Sequence, residues 1–218
     1  EDPNFKFYDL FKLNLVNYTE RVSDIVEIAK NQTKIKKSLD KIKKQWDEKA
    51  FDWLELTEKE TFQMDKTEDI IDLVDQDLGN LLNMLGQKKY IAFFEVMANE
   101  LTNDLRTINK MVAEFEKLQK NWNKLEPIFT QSADVKANLA ETSRKFEDMN
   151  GGFKALIFEM RDHSTVKEAC VVEGRVERLK DLISILDSCE AELTAYLDQK
   201  KKKFPRFYFV SDKTLLTI

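Results

Sequence analysis

The sequence predicts an all-α fold: an elongated bundle of long antiparallel helices, with a small β-hairpin near 51–64 and a short extended segment near 204–210. Three observations predict the helices. The 218 residues include only five glycines and three prolines, against average usage of roughly 7% and 5%. Charged residues make up 34% of the chain, with acid and base alternating along it. Apolar residues recur at intervals of three and four over long stretches, which is the spacing of one buried helix face.

The first helical pattern covers 12–49. Leu15, Tyr18, Val22, Ile25, Ala29 and Gln32 carry its stripe, which resumes one step on as Ile35, Leu39, Ile42 and Trp46. Over 51–64 the period shortens. Phe51 and Trp53, then Phe62 and Met64, alternate with polar residues around Thr57-Glu58-Lys59-Glu60. That pattern reads as two short strands and a turn.

Thr67 is a candidate N-cap, with Glu68 and Asp69 in the first turn of the next helix. Its stripe is Ile70, Leu73, Val74, Leu78, Leu81, Leu82 and Leu85, and Gly86 is placed to end it as a C′ glycine. A longer helix is expected from about Lys88 to Glu126, burying Tyr90, Phe94, Met97, Leu101, Leu105, Ile108, Val112, Phe115, Trp122 and Leu125. Pro127 has no backbone donor and is expected to stop it. Residues 130–138 read as a polar connection. A helix with Phe146, Met149, Phe153, Leu156, Ile157 and Met160 follows, and Asn150-Gly151-Gly152 is expected to kink or split it. Gly174 precedes a last helix, about 175–203, with Val176, Leu179, Leu182, Ile183, Leu186, Cys189, Leu193, Tyr196 and Leu197 inward.

Composition excludes several classes. No run approaches the ~20 apolar residues of a membrane span. The net charge is −5, so no nucleic-acid face is expected, since such a face needs clustered positive charge. The one basic block, Lys200 to Lys203, reads as a solvated helix end that complements the helix dipole. Cys170 and Cys189 are too few for a disulfide scaffold or a zinc site and are expected to be packed thiols in a reduced, intracellular chain. The matches Asn17-Tyr18-Thr19 and Asn31-Gln32-Thr33 fall on a helix pattern and are read as chance. The chain opens Glu1-Asp2-Pro3 without an initiator Met and is expected to be a piece of a longer polypeptide.

Chemistry-bearing motifs are sparse. No two glycines flank a Lys-Ser/Thr pair in the manner of a phosphate loop. His163 is the only histidine, so paired Glu-x-x-His motifs for a carboxylate-bridged metal site are out of reach. Its expected duty is surface or capping. Trp46, Trp122, Leu125 and Phe129 are candidate structural anchors. The concentrated feature is the run Phe204-Pro205-Arg206-Phe207-Tyr208-Phe209-Val210-Ser211, which reads as an extended plug leaving a helical body. If extended, Phe207 and Phe209 would share one face, with Arg206, Tyr208 and Val210 on the other.

Taken together, these blocks resemble the linker region of dynein heavy chains, which precedes the first AAA+ module. The run from Phe204 to Ser211, followed by Leu215-Leu216-x-Ile218, is similar to that family's linker exit. Leu193-x-x-Tyr196-Leu197-x-x-Lys200 resembles the helix leading into it. Gln119-x-x-Trp122-x-x-Leu125-Glu126-x-Ile128-Phe129, with Asp134-Val135 after it, forms a further block, as do Leu139-x-Glu141 with Phe146, and Ile25-x-x-x-Ala29 through Trp46. The chain departs from the family pattern at Asn31-Gln32, Ala140, Gly151-Gly152 and Lys201 to Lys203. The exit block leans towards the axonemal type.

The resemblance implies a body over 1–203, representing a linker without its N-terminal part, and an exit segment over 204–218 that starts the connection to the first AAA+ module. It implies a mechanical lever of a microtubule motor, bending and straightening over the AAA+ ring as ATP is bound and hydrolysed. It implies Phe204, Pro205, Arg206, Phe207, Tyr208 and Phe209 as the interface with that ring. ATP and Mg²⁺ would belong to the ring, and the fragment would hold no cofactor and perform no catalysis. The implied partners are the ring of the same heavy chain and, indirectly, microtubules and other dynein subunits. The implied location is the cytoplasmic cytoskeleton, as the axoneme of a cilium or flagellum. By composition alone, Gly151-Gly152 and 51–64 are candidate joints. The alternative is a spectrin-like structural bundle joining cytoskeletal partners, which should show self-similarity at a fixed period; none is visible between the two halves. The 218-residue chain is expected to show no saturable nucleotide binding, and micromolar binding in a calorimeter would overturn that.

Overall fold

In the computed structural model, residues 6–12, 18–203, 206 and 209 are described. Among them the chain forms α1 (Phe7–Lys12), α2 (Thr19–Glu48), β1 (Asp52–Leu56), β2 (Thr61–Asp65), α3 (Thr67–Gly86), α4 (Lys88–Ile91), α5 (Glu95–Gln131), α6 (Ala133–Asn138), α7 (Ala140–Arg161), α8 (Val166–Cys170) and α9 (Arg175–Lys203). The all-α class with one small hairpin is as the sequence predicts. The chain divides into two units, one from the described residues of Glu1–Gln45 and Asp77–Asn103, the other from those of Trp46–Gln76 and Asp104–Ile218.

In the first unit, Ile35, Leu39 and Ile42 of α2, Leu81 and Met84 of α3, Ile91 of α4, and Ala98 and Leu101 of α5 are buried. The buried Asp77 carboxylate accepts from Gln45 Nε2 at 3.1 Å. Tyr90 donates its hydroxyl to Glu27 at 2.9 Å. The α2 stripe is only half used. Its later residues are buried, but Tyr18 and Ile25 are 53% and 63% exposed. Leu15 lies outside the described residues.

Three further expectations are corrected in this unit. Leu82 is exposed, because it lies one residue, about 100° of helix rotation, from the buried Leu81, and Met84 fills the inner face instead. Gly86 is the last residue of α3 rather than a left-handed residue beyond it, and Gln87 N–H closes the final turn on Met84 O at 3.0 Å. The expected helix from Lys88 is also broken after Ile91. A tight turn, with Phe94 N–H on Ile91 O at 2.6 Å, separates α4 from α5.

In the second unit, β1 and β2 pair antiparallel, with Trp53 opposite Met64 and Leu56 opposite Thr61. The turn is a 3-10 segment over Thr57–Lys59, closed by Glu60 in left-handed conformation with φ +50°. The hairpin is held from both sides. Gln119 of α5 is buried and meets Met64 twice, accepting from its N–H at 2.9 Å and donating to its carbonyl at 3.0 Å. A side-chain amide thus takes the place of a third strand. Phe62 packs edge-on against Phe158 of α7, and the Arg161 guanidinium lies 3.9 Å from the Phe62 ring centre.

Three long helices make the core of this unit. Phe129 stacks on Phe146 at 4.6 Å, Trp122 meets Asn150 and Phe153, and Phe115 meets Phe153 at 5.4 Å. Numbers that fall on α5 as they rise on α7 make the two helices antiparallel. Thr142 with Glu192, Gly152 with Leu182 and Glu159 with Arg178 show the same for α7 and α9.

The core explains three departures from expectation. Pro127 does not stop α5, which continues to Gln131. Its missing donor costs one bond to the carbonyl four residues back, but continuation buries Phe129, at 3% exposure, one turn beyond the buried Leu125. Residues 133–138 are not a plain connection but α6, capped by Ser132, whose hydroxyl accepts from Val135 N–H at 3.3 Å. Gly151-Gly152 neither kinks nor splits α7. A Cβ at Gly152 would stand 3.1 Å from Leu182 Cδ2, so the missing side chain lets α9 approach.

Trp122 is 1% exposed, donates Nε1–H to Asn150 Oδ1 at 2.8 Å, and lies beneath the Lys59 ammonium at 4.6 Å. Trp122→Ala is expected to cost about 3–5 kcal/mol; a loss below about 1 kcal/mol in denaturant melts would contradict that burial. The two glycines should separate. Gly151 has open space where a Cβ would go, so Gly151→Ala is expected to gain about 0.5–1 kcal/mol from helix propensity. Gly152→Ala should fall short of that gain because Leu182 must yield. Equal gains in parallel urea melts would refute the close approach.

Candidate functional site

The candidate interface lies at the C-terminal end of α9. Of its six residues, Phe204, Pro205, Phe207 and Tyr208 lie outside the described residues. Arg206 and Phe209 are exposed, Phe209 at 94%, and both are in 3-10 turns. The alternation of faces expected for an extended run therefore does not apply to those two. What the structure defines is the base from which this segment leaves.

The base is built by helical spacing. Leu193 and Leu197, four apart, are buried, which turns Tyr196 and Lys200, also four apart, onto the adjacent face. Both reach one carboxylate. Tyr196 donates its hydroxyl to Asp134 Oδ2 at 2.8 Å, and Lys200 donates from Nζ to the same oxygen at 2.6 Å. The other oxygen, Oδ1, accepts from Asn138 Nδ2 at 3.0 Å. Lys200 also lies 5.2 Å from the Tyr196 ring centre.

Asp134 is set in the first turn of α6 and held there by its neighbours. Ser132 caps the helix, Val135 is buried, and Lys136 donates to Thr130 O at the end of α5 at 2.7 Å. One carboxylate thus joins α6 to the last two turns of α9.

The electrostatics follow from that sharing. The Lys200 ammonium holds the Asp134 carboxyl below its ordinary value against the opposing effect of burial, and Tyr196 and Asn138 add to the lowering. For Lys200, burial disfavours the charge, but the bonds to Asp134 and Tyr196 outweigh it and raise the ammonium above its ordinary value. Burial and then the Asp134 bond push the Tyr196 phenol up.

A second carboxylate fastens α9 two turns earlier. Glu192 accepts from Thr142 of α7, and Lys145 Nζ lies 3.4 Å from its Oε1. The Thr142 bond, with Lys145 and Ser188, holds Glu192 below its ordinary value. Beyond these contacts, Lys202 and Lys203 are exposed at the negative end of the helix dipole.

The remaining candidates are distributed through the body. Trp46, Trp122, Leu125 and Phe129 are all buried. His163 is exposed at the end of α7, its Nε2 3.5 Å from the Arg175 guanidinium. Cys170 and Cys189 are free and buried, and burial pushes the Cys170 thiol up to about 12. Among the described residues no group of three His, Cys, Asp or Glu is placed to hold a metal, and no helix is long and apolar enough to cross a membrane. A cleft of about 460 Å³ beside α6 is lined by Phe129, Lys136, Ser143, Arg144 and Asn150 among others.

Comparison with known proteins bears on the whole chain. The family described as "Dynein heavy chain, N-terminal region 2" matches residues 1–218. The chain belongs to the dynein heavy chains. It is 33% identical over 220 residues to the "Dynein beta chain, flagellar outer arm" of Chlamydomonas reinhardtii, covering 100% of this chain and 5% of that protein. It is 31% identical over 217 residues to "Dynein axonemal heavy chain 9" of Homo sapiens and to the "Dynein beta chain, ciliary" of Heliocidaris crassispina, with the same coverage. The chain therefore spans about one twentieth of these relatives, whose printed names are flagellar, ciliary or axonemal.

Within this dynein region the structure brings together residues that the sequence left in separate blocks. Asp134 belongs to one block, Tyr196 and Lys200 to another, 62 and 66 residues away. The spacing of Tyr196 and Lys200 signals a shared helix face; nothing local signals the partner.

The sign of the pH effect is fixed by the lowered carboxyl. The folded chain binds the Asp134 proton less readily than the unfolded chain does. The stability it contributes is therefore present above the ordinary carboxylate range and is lost as pH falls through the lowered value. Both side chains of the pair are about a third exposed, so solvent screening limits the effect to about 1 kcal/mol. Asp134→Asn is expected to lower stability by that amount at neutral pH and to make the acid limb of a stability–pH curve less steep. An unchanged acid limb would show that the carboxylate is not coupled to folding.

Proposed function

We propose that this chain is the mechanical linker of a dynein heavy chain, the lever that couples ATP-driven changes in a AAA+ ring to displacement along a microtubule. The observation that carries the reading is the support of α9. One face of it is buried from Leu179 to Leu197, packed antiparallel on α7, and the helix is tied at its end through Asp134 and Glu192. A lever must deliver load to its exit without yielding, and close-packed interiors have low compressibility. Membership of the dynein N-terminal region supports the same assignment.

On this reading the body ends near 203, and Phe204, Pro205, Arg206, Phe207, Tyr208 and Phe209 engage the first AAA+ module. The exposure of Phe209 suits a residue that is covered only by a partner. ATP and Mg²⁺ belong to the ring. The linker itself contributes stiffness and direction, with no catalysis and no cofactor of its own. Microtubules and other dynein subunits are reached through the rest of the heavy chain, and the printed names of the relatives favour an axonemal setting.

Phe207→Ala in the intact heavy chain is expected to uncouple movement from ATP turnover, slowing microtubule gliding while basal hydrolysis persists. Gliding at the normal velocity would refute the exit segment as the mechanical joint.

A further inference from the structure

The base of the exit carries a specific device. The Asp134 carboxylate is fully engaged, with Asn138 on one oxygen and Tyr196 and Lys200 on the other. Its two α9 partners lie in the last two turns of that helix. Tyr196 and Lys200 are both half-buried, so their reach is restricted. Glu192 and the buried Leu193 and Leu197 hold the helix laterally. The Asp134 contact adds what apolar packing does not, a directional bond that fixes the rotation of the last turns about the helix axis. Residues 201–203 follow it directly, and the exit segment follows them.

We propose that Asp134 is a positioning residue: by holding Tyr196 and Lys200 together it sets the direction in which the chain leaves α9, and the movement obtained from each ATP depends on that direction. The inference rests on the lever reading above. Asp134 touches neither nucleotide nor ring in this account; it acts through α9. Its role is distinct from stability, because a motor with a loosened exit can remain folded and hydrolyse ATP while delivering less displacement.

The test uses the intact heavy chain, measuring microtubule gliding velocity and ATP turnover on the same preparations. Asp134→Ala removes every acceptor and is expected to slow gliding at least threefold with turnover within twofold of the parent. Asp134→Asn keeps an acceptor for Tyr196 but loses the charge that holds Lys200, and should be intermediate. Lys200→Met should match Asp134→Asn, and the Asp134→Asn/Lys200→Met pair should be no slower than either alone. Asp134→Glu, which retains the charge and both partners, should restore most of the velocity.

Parent velocity in Asp134→Ala would overturn the proposal. So would velocity and turnover falling in the same proportion, since that reports only a smaller folded fraction. Phe207→Ala, run alongside, separates the two levels. If it slows gliding and Asp134→Ala does not, the positioning role alone fails. If Phe207→Ala glides normally, the lever reading itself falls.

Discussion

The antiparallel packing of α7 between α5 and α9 is the constraint on which the other features of the second unit rest. Its α5 side is aromatic, with Phe115, Trp122 and Phe129 meeting Phe153 and Phe146. Its α9 side is close, with Gly152 against Leu182. Burying large rings contributes more than any polar contact here, since each removes 150–250 Å² from water by general experience. The polar contacts then select one register from those the apolar stripes would tolerate. Trp122 can donate to Asn150 only in one axial position, and Glu192 can receive Thr142 and Lys145 only in one.

The hairpin depends on the same frame. Two strands alone are marginal in water, and these are sustained by α5 and α7. Gln119 occupies the backbone groups of Met64 that face away from β1, while Phe62 is held between Phe158 and Arg161. Gln119 and Trp122 are one turn apart on α5, so one helix face fixes the hairpin and the aromatic core together. The hairpin is thereby part of the body's packing rather than an appendage.

What was legible in the sequence was local. Period 3.6 located the long helices, and period 2 located both strands from Phe51, Trp53, Phe62 and Met64. What misled was local rule set against distant burial. Pro127 reads as a stop, but Leu125 and Phe129 on either side are both buried and carry α5 past it. Gly151-Gly152 reads as a break until Leu182, thirty residues on, is known to need the space. The α2 stripe shows that a face is apolar, not that anything covers it, so Ile35 and Leu39 are buried and Ile25 is exposed. The Asp134 cluster was illegible for the same reason. Its members are ordinary surface residues in sequence, and only the folding of α6 against α9 makes them neighbours.

Both cysteines are buried, and burial raises both thiols above their ordinary values. A thiol reacts as its thiolate, so at neutral pH the native sulfurs are shielded twice, by access and by protonation. The folded body is in effect a silent background for thiol chemistry. A single cysteine introduced at an exposed helical position such as Ser38 could carry a fluorophore or spin label without first removing the natural residues. Movements of this region could then be followed by optical or magnetic spectroscopy with its core packing left as evolution made it.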